Sequence, residues 1–532
     1  MGATRLTSTP AVITRLRDAR NHPHWVPAPT YSMVRDALFD QPRHGVAILQ
    51  PGLHQVEEVT FGELQETARQ VAGALRARGV EPGDRVAMYL DPSQAAAEVV
   101  CGALTAGAVI LPIPRLLGGA SVGHRVRDAG ARVLVTDGVG AQRLLETGAD
   151  TMGIALLTVD GSSVDDLLAE ALEAEPIGPY EPVGDEPALL MYTSGTSGNP
   201  KGIVHANRVL LGHAAVDYAF DLYQEGDVYY GTADWGWVGG LMLGLLVPWA
   251  FGVPVVALRQ QRFDPAATLT IFERFGVTIA FLPPSVLRLF AAHGKAPNRR
   301  LRAVVTGGEP AGATELDWAR RHLCAAINKA FGQTESNGLI GDSVVLGSVD
   351  DATMGAPYPG HEIRILDEAG AEVGPGEIGE IALALPDPVA MLGIWDTEQG
   401  KAVSNGSAFH RTGDLARRAY GRRLEYHGRI DDVIKSRGYR IGPAEIEQAL
   451  KLHPAVEDAA VIGVPDPEAG QHIKAFVQLH GSQLDEALEA ALRELVASTV
   501  GPHARPRVIE SIDRLPRTET GKVLRRELTG RA

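Results

Sequence analysis

From residue 31 to about residue 310, apolar runs alternate with stretches whose apolar residues recur at helical spacing, and this alternation constrains the fold more tightly than any other feature. Phe61 to Arg78 puts Leu64, Ala68, Val71 and Leu75 on one helical stripe and leads through the turn EPGD into the strand RVAMYL. Ala95 to Ala106 is again helical, and VILPIP and ARVLVTD read as strands. The pattern returns at the apolar run Ala188 to Met191. A helix near Arg208 to Tyr218, helix Pro265 to Phe275, strand TIAFLPP, helix Ser285 to His293 and strand LRAVVTGGEP follow. Such alternation predicts parallel sheets covered by helices on both faces.

After about residue 355 the texture changes to short alternating strands with glycine turns, HEIRILDEAG and GEIGEIALAL, which predict a small β-rich subdomain. Near residue 430 it changes again. A basic loop, Ile434 to Arg440, precedes helix Pro443 to Leu452, strands VEDAAVIGV and HIKAFVQL, a long helix Asp485 to Ser498, strand RVIESI and a Lys/Arg-rich tail. The expected fold is therefore α/β. Its large N-terminal domain, residues 1–430, holds two α/β sheets and the small β-rich subdomain, and residues 431–532 form an α+β C-terminal domain.

Size agrees, because 532 residues exceed what one hydrophobic core usually covers. A formal net charge of -15 argues against non-specific binding to nucleic acid or anionic lipid and favours small-molecule partners. The two cysteines, Cys101 and Cys324, lie in apolar segments, which suits a reducing compartment and excludes a disulfide framework. The first thirty residues carry four arginines but no continuous apolar core, so a cytoplasmic protein without a secretory signal is expected. Gly236 to Leu258 is 23 residues long without a charge, enough to span a bilayer, but five glycines with Pro248 and Pro254 break it into a buried helical piece and a short strand, Val253 to Leu258. No integral membrane span is expected, and monomer and dimer are both open.

Directly after Ala188 to Met191 comes YTSGTSGNPKG, Tyr192 to Gly202. Gly195, Gly198 and Gly202 let backbone amides turn toward a ligand, the hydroxyls of Thr193, Ser194, Thr196 and Ser197 add donors, and Lys201 adds a point charge, a combination suited to a polyphosphate. No Gly-Lys-Ser/Thr triplet closes it, so it is not a Walker A loop.

The order of residues in this loop resembles the phosphate-binding loop of the adenylate-forming superfamily of acyl-CoA synthetases, adenylation domains and luciferases. Further stretches match that family in order: TGGEP (Thr306 to Pro310), FGQTES (Phe331 to Ser336), RTGD (Arg411 to Asp414), GRIDDVIKSRGYRIGPAEIE (Gly428 to Glu447) and PRTETGKVLRREL (Pro516 to Leu528). The resemblance implies that Gly308, Glu309 and Pro310 line one face of the adenine, Phe331 lies against it, Thr334 contacts the α-phosphate and Glu335 binds magnesium. It implies that Asp414 holds both ribose hydroxyls, which need an acceptor-only group. It adds Gly332, Gln333, Arg429 and Arg440 to the nucleotide contacts and Ser436, Arg437 and Gly438 to the coenzyme A side. Asp431 matches the hinge about which the family rotates a mobile C-terminal domain, and Lys522 matches the lysine used for adenylation. The chemistry is coherent: activating a carboxylate as its AMP anhydride needs cations and donors placed in advance around the α-phosphorus, and Lys201, Lys522, Thr334 and magnesium on Glu335 supply them.

Two positions depart from the pattern. Lys329 stands where the family commonly has an acidic or amide acceptor for the adenine amino group, so that contact must come from a backbone carbonyl or be absent. Gly332 stands where acetyl-activating members carry a tryptophan that caps the acyl pocket, which opens room for longer acids. TADWGWVGGLMLGLLVPW also resembles the DxGW region of medium-chain acyl-CoA synthetases, with Trp235, Trp237, Val238 and Leu241 forming an apolar wall beside Gly332. Such lining, at about 0.8 kcal/mol per methylene, ranks chain lengths gradually. The resemblance thus implies an AMP-forming synthetase for a medium-chain, branched or aromatic carboxylic acid, using ATP, magnesium and coenzyme A. Alternatives are a standalone enzyme loading a carrier-protein pantetheine and a non-catalytic acyl or adenylate sensor.

Overall fold

A computed structural model describes residues 30–52, 55–149, 151, 153–193, 200–213, 223–260, 262–309, 311–342, 350–358, 360–436, 439–467, 470–481, 483–517 and 523–530. The chain forms two compact units: Met1–Val349 with Pro357–His361 and Ala384–His410, and Asp350–Ala356 with Glu362–Leu383 and Arg411–Ala532.

The first unit contains the two expected sheets. One runs, in spatial order, Lys401–Val403, Gly393–Asp396, Lys201–Ala206, Pro187–Thr193, Val109–Pro112, Arg85–Tyr89, Val133–Thr136 and Ala155–Leu157. The last five are parallel neighbours, and the first three are joined antiparallel. Alternating residues feed opposite faces. Val86, Met88, Ile110 and Leu189 pack with helices Phe61–Ala77 and Gln94–Thr105, whereas Ala87, Tyr89, Leu111 and Leu190 pack with helices Gly119–Asp128 and Gly138–Glu146. Helix Phe61–Ala77 starts where it does because Thr60 and Glu63 form a reciprocal capping box.

The other sheet includes, in order, Asn337–Gly341, Ile327–Gln333, Ala303–Gly307, Ile279–Phe281, Tyr229–Gly231, Val255–Val256, Val46–Pro51 and Val56–Thr60. Its centre is parallel, with antiparallel pairs at Ile327–Gln333/Asn337–Gly341 and Val46–Pro51/Val56–Thr60. Ile48, Tyr229, Ile279 and Val305 share one core with Val86, Ile110 and Leu189 of the first sheet.

The uncharged segment is buried, as expected, but Pro248 does not end its helix. The helix passes from Val238–Leu241 through a π-helical turn, Met242–Leu246, into Val247–Ala250, and the widened turn comes directly before the proline that cannot donate to the ladder. Trp249 is fully buried and donates from Nε1 to the carbonyl of Ala47 at 2.8 Å. No helix among the described residues is long and apolar enough to cross a membrane. Of the helix near Arg208 to Tyr218, residues 214–218 lie outside the described residues.

The second unit holds an antiparallel sheet of Ile363–Leu366, Ile378–Ala384, Phe409–Arg418 and Leu424–Arg429, and a five-stranded sheet beside helices Pro443–Lys451 and Glu486–Thr499. The basic loop at Ile434 to Arg440 is a strand pair instead, Ile434–Ser436 with Tyr439–Ile441. Ile434 and Ile441 face each other across the ladder and are both buried, and that apolar pair outweighs the charges between them. The basic tail likewise contains a short helix, Arg525–Thr529, fixed by the buried Leu528.

Candidate active site

Strands Pro187–Thr193 and Lys201–Ala206 are an antiparallel pair in which Thr193 lies opposite Lys201. The candidate phosphate loop therefore springs from the end of a buried two-stranded ladder. Ser194, Gly195, Thr196, Ser197 and Gly198 lie outside the described residues. Lys201 is exposed and has no carboxylate partner among the described residues, which leaves its ammonium available to an anionic ligand.

A second hairpin carries the FGQTES residues. Ile327–Gln333 turns through Thr334, Glu335 and Ser336 into Asn337–Gly341. Ser336 N donates to Gln333 O at 3.2 Å, and Asn337 takes φ 49°, the left-handed conformation that closes a three-residue hairpin loop. Thr334 and Glu335 thus sit at the tip, half-exposed, and the Glu335 carboxylate has no partner among the described residues. Beside the tip Leu339 is left unpaired in a bulge, and the strands come very close at Gly332. A Cβ there would lie 1.7 Å from the carbonyl oxygen of Asn337 and 3.0 Å from the Cα of Gly338. Gly332 is therefore required by the hairpin, whatever ligand lies nearby.

The tip is held from outside. His205 Nε2 lies 2.7 Å from the carbonyl oxygen of Thr334, Met391 N donates to the carbonyl of Glu335 at 2.9 Å, and His410 Nε2 lies 3.0 Å from the side-chain oxygen of Gln333. His205 belongs to the strand leaving the phosphate loop, so its hydrogen bond joins the two sheets at the site. Sequence reasoning passed over His205. The only available signal was a lone imidazole in the otherwise apolar run GIVHA.

In TGGEP, Gly308 has φ 89° and Pro310 lies outside the described residues. The Glu309 carboxylate accepts from Ser285 N at 2.8 Å and pairs with Arg288 at 3.3 Å, so it is committed to the N-terminus of helix Pro284–His293. Lys329 is 2.9 Å from the buried Asp342, and its carbonyl accepts from Tyr358 Oη at 3.1 Å and Asp342 N at 3.0 Å. That carbonyl is thus already committed, and the acceptor beside Lys329 is the Asp342 carboxylate.

The four apolar-wall residues separate into two kinds. Trp235 and Leu241 are core side chains, whereas Trp237 and Val238 are half-buried. Asp234 organises this turn: one oxygen accepts from Gly236 N at 2.7 Å, the other pairs with Arg259 at 3.0 Å and accepts from Arg115 N at 3.2 Å, and burial pushes its carboxyl pKa upward. Gly236 and Gly240 are forced by backbone approach, since a Cβ would lie 2.3 Å from Pro114 N and 1.9 Å from Asp234 O respectively. Gly239 differs: among the described residues no atom lies within 4 Å of a Cβ built there.

In the second unit Asp414 is buried on strand Phe409–Arg418, with Oδ1 accepting from Tyr426 Oη and Oδ2 from Arg429 Nη1, both at 3.0 Å. These partners fix the orientation of the carboxylate on its strand. Asp431 is exposed in the turn Ile430–Asp432, 4.0 Å from Arg429. Ser436 is buried; Arg437, Gly438 and the side chain of Arg440 lie outside the described residues. So does Lys522; the described residues on either side of it, Arg517 and Val523, form an antiparallel bridge. Arg525 pairs with Asp432 at 2.8 Å and Glu447 at 2.7 Å, tying helix Arg525–Thr529 to the turn that holds Asp431.

Comparison with known proteins fits this geometry. Residues 36–395 match the family of AMP-binding enzymes, and residues 445–522 match the AMP-binding enzyme C-terminal domain. The chain is 30% identical over 507 residues to the acetyl-coenzyme A synthetase of Bacillus subtilis, covering 91% of this chain and 87% of that protein. It is 30% identical over 482 residues to 4-hydroxybutyrate–CoA ligase 1 of Metallosphaera sedula, covering 89% and 85%. The crystal structure of a benzoate CoA ligase from Burkholderia xenovorans superposes with a TM-score of 0.80 at 26% identity, covering 98% of this chain and 100% of that one. The chain belongs to the AMP-binding enzymes of the adenylate-forming superfamily, among its AMP-forming carboxylate–CoA ligases.

Proposed function

We propose that the protein joins a medium-chain, branched or aromatic carboxylic acid to coenzyme A in two half-reactions. The choice of acid rests on one observation: the half-buried Trp237 and Val238 are followed by Gly239, where a Cβ would meet no atom of the described residues within 4 Å. An apolar floor with room beyond it suits an acid longer than acetate.

In the first half-reaction a carboxylate oxygen of the acid attacks the α-phosphorus of ATP, the bond from that phosphorus to the bridging oxygen breaks, and pyrophosphate leaves. Thr334 at the hairpin tip donates to the crowded α-phosphate, Lys201 at the foot of the phosphate loop neutralises it, and the carboxylate of Asp414 accepts from the ribose hydroxyls. Lys522 bridges the attacking carboxylate and the phosphate. The Glu335 carboxylate, without a partner among the described residues, would hold a magnesium ion, which would neutralise polyphosphate charge. In the second half-reaction the thiol sulfur attacks the acyl carbon, its proton passes to solvent, and the carbon–oxygen bond to AMP breaks. Asp431 is the hinge between the two, and residues 431–532 move about it.

The test is acid-dependent pyrophosphate release across a panel of C2 to C12 and aromatic acids, with Thr334→Ala and Glu335→Gln beside the parent. Each substitution is expected to lower the rate by about 10²-fold, the usual cost of one preorganised contact to developing charge. Unchanged rates in both would remove the hairpin tip from the reaction.

A further inference from the structure

We infer that His205 is a positioning residue for adenylation: it fixes the peptide between Thr334 and Glu335 and so aims both side chains at the nucleotide. His205 lies four residues after Lys201 in strand Lys201–Ala206, fully buried, with Leu189 opposite it. Its Nε2 is 2.7 Å from the Thr334 carbonyl oxygen. A carbonyl only accepts, so Nε2 carries the hydrogen, and Nδ1 is left as a buried acceptor without a partner among the described residues. Burial holds the pKa down at about 4, so the ring is neutral at physiological pH and cannot trade protons with the substrate.

The geometry explains why this bond matters more than an ordinary buried one. Thr334 and Glu335 are adjacent at the end of a hairpin, where two strands alone leave the tip free to tilt. The direction in which both side chains leave is set by the plane of the peptide joining them. His205 holds the oxygen of that peptide, and Met391 N holds the next carbonyl. Because His205 stands on strand Lys201–Ala206, the same bond also ties the strand that carries Lys201 to the tip. A displacement of about 1 Å at a reacting centre can cost about 10²-fold in rate.

The test uses the full chain, with steady-state pyrophosphate release at varied acid concentration. H205Q keeps an N–H of similar reach and is expected to stay within about five-fold of the parent. H205L removes the donor and is expected to lose about 10²-fold in kcat, while KM for the acid stays within about three-fold because His205 does not touch it. Near-parent kcat in H205L, or equal loss in H205Q and H205L, would overturn the inference. Should H205L fail to fold, H205F takes its place under the same criteria, and if neither folds the pH profile decides. Parallel profiles for parent and H205Q between about pH 5.5 and 8.5 support positioning, and loss of an inflection near the ordinary histidine pKa in H205Q contradicts it. The inference rests on Thr334 and Glu335 being the nucleotide-facing pair. If Thr334→Ala and Glu335→Gln keep the parent rate, that assignment fails; if they lose it while H205L does not, only the role of His205 fails.

Discussion

At Gly239 the informative feature is an absent side chain. Its Cβ direction is open and it follows the half-buried Trp237 and Val238, so a larger residue there would take the volume proposed for the acyl chain without straining the backbone. Gly239→Leu is expected to cut pyrophosphate release with C6 and C8 acids by about 10- to 100-fold relative to acetate or propionate, the range that a few methylenes of apolar contact command. Equal loss for every acid would mean that position 239 does not face the acid. This residue was not legible in the sequence, where Gly236, Gly239, Gly240 and Gly244 look alike. Only coordinates separate the two glycines whose Cβ would strike backbone from the one that faces space. His205 was hidden for a similar reason, because its partner is a backbone carbonyl 129 residues away. Lys201, Thr334, Glu335 and Asp414 stood out because an unusual order of polar residues in a loop is visible without coordinates.

At the scale of elements the hairpin Ile327–Gln333/Asn337–Gly341 is the decisive unit, and it changes what substitution at Gly332 can reveal. A side chain there must push the Asn337–Gly338 backbone aside, so Gly332→Ala is expected to lower adenylation of short and long acids together and to lower the melting temperature. Gly332→Trp adds to that distortion and cannot serve as a simple pocket plug. A Gly332→Ala protein with parent-like melting temperature and activity would show that the hairpin relaxes more easily than its geometry implies. The strands and helices of both sheets were legible because their apolar periods are long and unambiguous, as in Phe61–Ala77 and Val133–Thr136. The strand pair at Ile434–Ile441 was not, since it is three residues a side and outwardly basic, and its burial is decided by tertiary packing.

For the whole molecule, two buried histidines predict an acid limit. Burial lowers the pKa of His205 and of His213 from 6.5 to about 4. The unfolded chain therefore binds more protons than the folded one between those values, so stability rises with pH through that window. The contribution is fully present above about pH 6.5 and lost as pH falls toward about 4, on the order of several kcal/mol for the pair. His213→Gln is expected to flatten the change in unfolding free energy between pH 7 and 5, measured by urea denaturation, and an unaltered slope would contradict the linkage. The C-terminal lysine gives a second prediction. Lys522→Ala should slow acid-dependent pyrophosphate release by about 10²-fold or more while still converting supplied acyl-adenylate and coenzyme A to thioester near the parent rate. Loss of both halves together would show that Lys522 is not the adenylation lysine. The most direct test of the whole account is one turnover experiment with an equimolar mixture of carboxyl-¹⁸O-labelled C2 to C12 and aromatic acids, ATP, magnesium and coenzyme A, read by the masses of the products. The account predicts AMP carrying one ¹⁸O per turnover and acyl-CoAs dominated by acids longer than propionate or by aromatic acids. Unlabelled AMP would contradict the acyl-adenylate, and a predominance of acetyl-CoA would contradict the acid proposed.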